Sequence, residues 1–371
     1  MSAQQEAGTR RALSLQVASL GLLSAGMMAA LVVMTLVLGS ALPGSPQIAF
    51  LSSRDEGGSD LHLIDVERSI DHRLPLHLLD TLRFAWSPDG QRVAFIAHEF
   101  SPTSTDIYIV ELFTNQLQKV TDYGASYITV AWSPDGRQLA FEADRDGGFE
   151  IYVADCAERC DIHRVTTNIF RDYGPVWSPD GRQLIFVSYL DTGRSEIHSM
   201  SANGSGVHNL TYRTGPSNIP QWSPDGDMIS FTSWHEGRYE IYLMNADCIP
   251  YSDRPDNSIP LACENTLRNV SNHQADDWSP VWSPNSQEIV FLSVRDGNTD
   301  IYRLNIESGA LHRLTNHPAE DRDPAWSPDG QWIVFVSNRD GDYDLYVMDV
   351  NGGQVRQLTD TGGNFLPAWR P

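Results

Sequence analysis

The twelve residues "FAWSPDGQRVAF", from Phe84 to Phe95, return almost unchanged as "VAWSPDGRQLAF" from Val130 and as "PVWSPDGRQLIF" from Pro175. Trp-Ser-Pro stands at Trp86, Trp132, Trp177, Trp222, Trp282 and Trp326, with a remnant at Trp369-Arg370-Pro371. The steps between these tryptophans are 46, 45, 45, 60, 44 and 43 residues. Such a period marks a modular array in which each unit buries its apolar surface against its neighbours. Each unit holds four strand-like runs. The first ends on the Trp, and the second carries Ile-x-Phe, as in Ile333 and Phe335. The third reads Asp/Glu-Ile-Tyr, as in Asp300-Ile301-Tyr302, and the fourth ends in Leu-Thr, as in Leu314-Thr315. All are short, rich in β-branched and aromatic residues, and bounded by Gly, Asp, Asn or Pro.

Ser-Pro-Asp-Gly is a reversal between the first two strands. Proline presets φ, Asp suits the next turn position, and Gly takes a left-handed conformation closed to most residues. At "WSPNSQ" the Gly is replaced by Ser286, which predicts a strained turn that Ser286→Gly should relieve. The strand after the turn is apolar on both faces: Val93 and Phe95 point one way, Ala94 and Ile96 the other. A strand buried on both faces needs a sheet on each side. Four-stranded sheets stacked radially supply that, so the expected fold is all-β, a β-propeller.

The blade count follows from phase. Ile-x-Phe strands occur seven times, at Phe50, Phe95, Phe141, Phe186, Phe231, Phe291 and Phe335. Trp strands also occur seven times, but the first Ile-x-Phe strand has none before it and the last Trp strand has nothing after it. Ring closure resolves the offset: Leu366–Trp369 becomes the inner strand of the blade begun by Gln47–Ser52. The expectation is seven four-stranded blades over residues 47–371. Six is the competing count, because "LHL" replaces "IYV" at Leu61–Leu63 in the first unit.

The pattern WSPDG, I-x-F, R-D-G, D-I-Y, L-T resembles the TolB-type, WD-like propeller repeat over roughly Gln47 to Pro371. The resemblance implies the propeller fold. It says less about function, since the repeat serves unrelated proteins. Periplasmic TolB proteins carry it beside an N-terminal α/β domain and bind envelope partners. Prolyl oligopeptidase-like enzymes carry a related propeller as a gate on a hydrolase. Here an apolar segment precedes the repeats, and no hydrolase motif follows them.

That segment, Val17 to Leu38, is 22 residues without a charge, enough for a bilayer-spanning helix. Arg10 and Arg11 precede it and no basic residue follows closely, so the N-terminus is expected in the cytoplasm. The expected layout is a cytoplasmic tail (1–11), a transmembrane helix or signal anchor (12–40), a linker (41–46) and an extracytoplasmic propeller. The competing reading is a secreted protein, with residues 1–41 removed as a signal peptide. A net charge of −22 argues against nucleic acid as a partner, because it offers no bulk neutralisation of phosphates.

No Gly-x-Ser-x-Gly elbow, His-Glu-x-x-His motif or phosphate-binding glycine loop occurs. Catalytic residues are therefore not assigned. The expected function is a membrane-tethered scaffold for an extracytoplasmic protein or peptide. The alternative is an extracytoplasmic propeller enzyme, a lyase, glycosidase or peptidase, acting on a carbohydrate or peptide through a site assembled from several blades.

Four cysteines sit after third strands. Cys156 and Cys160 follow "EIYVAD", and Cys248 and Cys263 bracket the insertion two blades on. Local pairing outside the cytoplasm predicts disulfides 156–160 and 248–263. The residue five before each Trp marks where the inner strand enters the central channel: Thr81, Tyr127, Asp172, Ser217, Asp277, Asp321 and Asn364. Asp172, Asp277, Asp321 and Asn364 are the candidate binding residues of an electronegative funnel, to focus a cationic segment or a cation such as calcium. No other cofactor is expected. Strand capping is the competing role, and Arg145, Arg295 and Arg339 of the adjacent turns are the groups that would neutralise the funnel.

Overall fold

Each Ser-Pro-Asp-Gly turn closes as its residue types require. The Gly90 N–H donates to the Ser87 carbonyl at 2.9 Å, with Gly90 at φ 63°. The Ser87 hydroxyl donates to Asp89 and accepts the N–H of Arg92 at 2.9 Å, tying both ends of the turn to one side chain. The same set recurs at Ser133, Ser178, Ser223 and Ser327. Ser286 is left-handed, at φ 60°, as the sequence predicts. Its hydroxyl, however, accepts the Asp225 N–H of the neighbouring turn at 3.0 Å. That bond, about 1 kcal/mol, offsets the strain, so the gain expected from glycine at this position shrinks towards zero.

The computed structural model describes residues 45–371, apart from 55–57, 77, 79, 99–103, 157–159, 191–192, 212–213 and 247–265. From Pro46 onward these residues form one unit of seven antiparallel four-stranded sheets, β1 to β28 in chain order. The "LHL" unit is a full blade, so the count of seven holds. Blade one is completed by β28 (Asn364–Trp369) pairing with β1 (Gln47–Ser52), in register Ile48↔Trp369 and Ser52↔Asn364. Blade seven repeats that register inside one continuous segment, with Trp326↔Ile333 and Asp321↔Ser337. The ring therefore closes through the C-terminal strand.

The core lies between blades. Ile48, Phe50 and Ile64 of blade one pack on Val334, Val336, Leu345 and Val347 of blade seven, with Trp369 between them. Five of the seven repeat Trp residues also reach back one blade. Their indole N–H groups donate to the carbonyl of the residue preceding the previous blade's Trp: Trp86 to Ala368, Trp132 to Ala85, Trp177 to Ala131, Trp326 to Val281 and Trp369 to Ala325, at 3.0–3.3 Å. The indole nitrogens of Trp222 and Trp282 are buried without a partner. The Asp/Glu-Ile-Tyr and Leu-Thr patterns are one device. The Thr315 hydroxyl donates to Asp300 and accepts the Ile301 N–H, and Thr121, Thr166 and Thr359 repeat this on Asp106, Glu150 and Asp344.

Cys156 and Cys160 form the predicted disulfide, just after the third strand of blade three. Cys248 and Cys263 lie outside the described residues, as do the expected membrane segment at 12–40 and the tail before it. Among the described residues no helix is long and apolar enough to cross a membrane.

Candidate functional site: the central channel

The inner strands are β4 (Asp80–Trp86), β8 (Tyr127–Trp132), β12 (Arg171–Trp177), β16 (Ser217–Trp222), β20 (Asp277–Trp282), β24 (Asp321–Trp326) and β28. Each runs from the face carrying the blade-to-blade connections to the face carrying the Ser-Pro-Asp-Gly turns. Each also breaks register before its Trp, a β-bulge. An inner strand pairs on one side only, so proline is tolerated in it. Pro175, Pro220, Pro280, Pro324 and Pro367 stand two residues before their Trp. The residue ahead of each is left-handed: Gly174, Ile219, Ser279, Asp323 and Leu366, at φ 51–63°. For β-branched Ile219 that is a rare and strained conformation. These bulges point into the channel. Arg83, Ile219, Ser279, Asp323 and Leu366, with three of the prolines and Leu292, line a cavity of about 320 Å³ at its centre. Burial pushes the Asp323 carboxyl above its ordinary range, against the pull of Arg322, the Leu366 N–H and Arg83.

The predicted funnel residues lie elsewhere. Asp172, Asp277, Asp321 and Asn364 stand at the starts of their inner strands, but all are fully buried. Asp277 takes both oxygens to Arg295 at 2.9 Å, and Asp321 bonds Arg339 at 3.0 Å. Asp172 accepts from Ser188 and Asn168, each at 2.6 Å, and burial raises its pKa. The Asn364 amide donates to Asp344 and Thr359. In place of the expected open electronegative funnel, these groups lie buried and bonded mostly within their own blades, with Asp321 Oδ2 and Asn364 Oδ1 left without a partner. The cause is spacing: an Arg eighteen residues after Asp277 and Asp321 reaches back from the turn of the same blade. Blade four has Leu190 at that distance, and Ser188 and Asn168 serve Asp172 instead. Among the described residues no three His, Cys, Asp or Glu side chains gather as metal ligands.

The group that sequence reading missed is Glu142, in β9 (Gln138–Ala143). It follows Phe141 where the other blades have Leu51, Ile96, Val187, Thr232, Leu292 and Val336. It is fully buried. The Thr129 hydroxyl donates to its Oε2 at 2.5 Å, and the Gly174 N–H donates to the same oxygen at 3.3 Å. Oε1 has no partner. With no cation beside it, burial pushes the carboxyl up to about 7. The signal was present in the repeat itself, as the one acidic residue at an otherwise apolar or Thr register.

The mouth on the connection face is asymmetric. Tyr123, Ile128, Ile169, Tyr189, Ile219, Trp234 and Tyr239 are exposed there, on blades three to five or on the connections that lead into blades three and four. Trp234 and Tyr239 meet edge to face at 4.8 Å, and Arg145 stacks on Tyr123 at 3.7 Å. Among the described residues, the other four blades expose no large apolar side chain on that face.

Comparison with known proteins fits this architecture. The chain matches the TolB beta propeller domain over residues 80–250 and 260–371. No curated protein matches it. Among solved structures it is similar to a putative TolB from Agrobacterium tumefaciens, at 22% identity and TM-score 0.54, covering 73% of this chain and 100% of that one. It is similar to TolB from Acinetobacter baumannii at 18% identity and TM-score 0.54, covering 88% and 83%. An oligogalacturonate lyase in complex with manganese aligns at 18% identity and TM-score 0.59, covering 84% and 85%. At these identities the structures share the fold, while the domain match spans most of the sequence: the chain belongs to the TolB beta propeller domain family.

Proposed function

We propose that the chain is a membrane-tethered, extracytoplasmic scaffold that binds a protein or peptide segment on the connection face of the propeller, over blades three to five. The observation that carries the reading is the exposed arc of Tyr123, Ile128, Ile169, Tyr189, Trp234 and Tyr239 beside the channel mouth. A monomeric surface rarely gathers apolar side chains on one sector without a partner to cover them. Tyr and Trp are the residues that dominate protein–protein contacts. The uncharged run from Val17 to Leu38 supplies the tether in this reading, with the propeller outside the cytoplasm. The disulfide Cys156–Cys160 suits an oxidising compartment.

A second reading, an enzyme, draws on Glu142, whose proton affinity near neutrality is that of a general base, and on the fold shared with a lyase. Among the described residues Glu142 hydrogen-bonds the Thr129 hydroxyl and the Gly174 N–H and no second titratable group, so the scaffold comes first. The test is capture from detergent-solubilised membranes with the full chain as bait, beside the triple variant Ile128→Ser, Trp234→Ser, Tyr239→Ser. Loss of the captured protein with an unchanged melting temperature is the expected result. Equal capture by both baits would remove the arc from the binding surface.

A further inference from the structure

We propose that Glu142 is the acceptor of a cation site in the channel wall, built for a single primary ammonium group, such as a Lys side chain or an N-terminal amine presented from the channel. The proposal deepens the scaffold reading, since it gives that partner a chemical feature to offer.

The geometry sets the carboxyl beside the channel. Glu142 has the register of Leu292, which lines the channel cavity in blade six: both follow the repeat Phe, and the next residues, Ala143 and Ser293, pair with Tyr127 and Asp277 at the inner-strand starts. The two groups that hold Oε2, Thr129 and Gly174, are the third residues before Trp132 and Trp177, the positions that line the channel in the other blades. Gly174 leaves this wall thin, because a Cβ placed there would meet nothing within 4 Å. Thr129, half-buried, is the remaining cover. A rotation of so small a side chain is a fast event.

The ligand class follows from what is missing. Oε1 is buried and unpartnered, which costs free energy unless a donor arrives. The strands packed on β9 are β8, β10 (Glu150–Asp155) and β12. Their titratable groups are Tyr127; Glu150, Tyr152 and Asp155; and Arg171, Asp172 and Tyr173. The buried carboxylates among them are already engaged, Glu150 with Arg164 and Thr166, and Asp172 with Ser188 and Asn168. Arg171, the one cation in that set, is exposed at the start of β12, three residues before Gly174. A divalent metal would need more oxygen ligands than Glu142 and Thr129 offer. A guanidinium fork needs two free carboxylate oxygens, and one is taken. An ammonium is a compact charge with three donors, matched to one free oxygen and its surroundings.

Binding should track ionisation of Glu142, since only the carboxylate attracts a cation. With the carboxyl titrating near 7, a ligand that stays protonated throughout should bind about 30-fold more tightly at pH 8 than at pH 5.5. The probe is n-butylammonium, with n-butanol as its uncharged counterpart, titrated into the full chain labelled with ¹³C at glutamate side chains. The Glu142 carboxyl signal is assigned by its loss in Glu142→Gln. The expected result is a saturable shift of that signal with the amine at pH 8, at least tenfold weaker binding at pH 5.5, and loss of binding in Glu142→Gln. Glu142→Leu, the residue type of blade six, is the second variant should Gln disturb the fold. Equal binding of butanol, unchanged amine binding in both variants, or no shift of Glu142 at saturating amine would each overturn the site. This readout involves no protein partner, so its failure leaves the capture experiment untouched, and a failed capture leaves the amine titration to stand alone.

Discussion

At the scale of single residues, the channel wall holds two costs that the rest of the blade must cover. The first is Glu142. The unfolded chain releases this proton around its ordinary 4.5, whereas the folded chain holds it to about 7. Between those values the folded state binds more protons, so stability from this group is greatest in acid. It falls as pH rises from about 4.5 to about 7, then levels off. The whole effect is about 3 kcal/mol. Glu142→Gln should therefore match the parent in acid and exceed it above pH 7. Urea melts of the pair from pH 4.5 to pH 8 read this as a widening gap, and parallel curves would mean the carboxyl ionises freely. The second cost is the left-handed Ile219 ahead of Pro220. Its side chain is 43% exposed, so little burial is lost on removing it. Ile219→Gly should stabilise by about 1 kcal/mol. A lower melting temperature would show that the isoleucine packs on the channel more than it strains the bulge.

The blade is the next scale, and its repeated Trp is more than an apolar wedge. Trp177 and Trp282 have equal exposure, 6% each, and equal positions in their blades. They differ in one bond: the Trp177 indole donates to Ala131, and the Trp282 indole to nothing. Replacing each by Phe removes the same ring edge, so the apolar terms largely cancel. Trp177→Phe should then cost about 1 kcal/mol more than Trp282→Phe, the net worth of a buried hydrogen bond. Chemical denaturation of the two variants measures the difference, and equal losses would assign the Trp wholly to packing. The unpaired indoles of Trp222 and Trp282 flank the blade whose insertion stretches the repeat to 60 residues. The inter-blade hydrogen-bond ring is thus interrupted on both sides of the one irregular unit.

For the whole molecule, the decisive feature is that the two ends of the propeller share a sheet. Asn364–Trp369 pairs with Gln47–Ser52, and Trp369 packs among residues of blades one and seven. Removing residues 364–371 should leave β1 with an unpaired edge and expose the core between those blades. The expected outcome is loss of a single cooperative melt, or aggregation. Calorimetry checks it: a truncated chain that melts like the parent would mean the closing strand is dispensable.

Architecture was legible in the sequence because a propeller is built from local rules. Turn type, strand alternation and the phase between Trp and Ile-x-Phe strands each lie within a few tens of residues, and together they predict seven blades and the closing strand. The Cys156–Cys160 bridge, four residues apart, was legible for the same reason. The site was not. Asp277 and Asp321 resemble channel carboxylates until the turns fold and bring Arg295 and Arg339, eighteen residues on, against them. Glu142 resembles one more strand residue until Gly174, 32 residues later and in the next blade, donates its N–H and leaves the second oxygen unpaired. Burial and partnership depend on what neighbouring blades place around a group. Sequence alone determined the ring and its closure, and only the tertiary structure decided which carboxylates inside the ring meet a cation, as Asp277 and Asp321 do, and which, like Glu142, meet none.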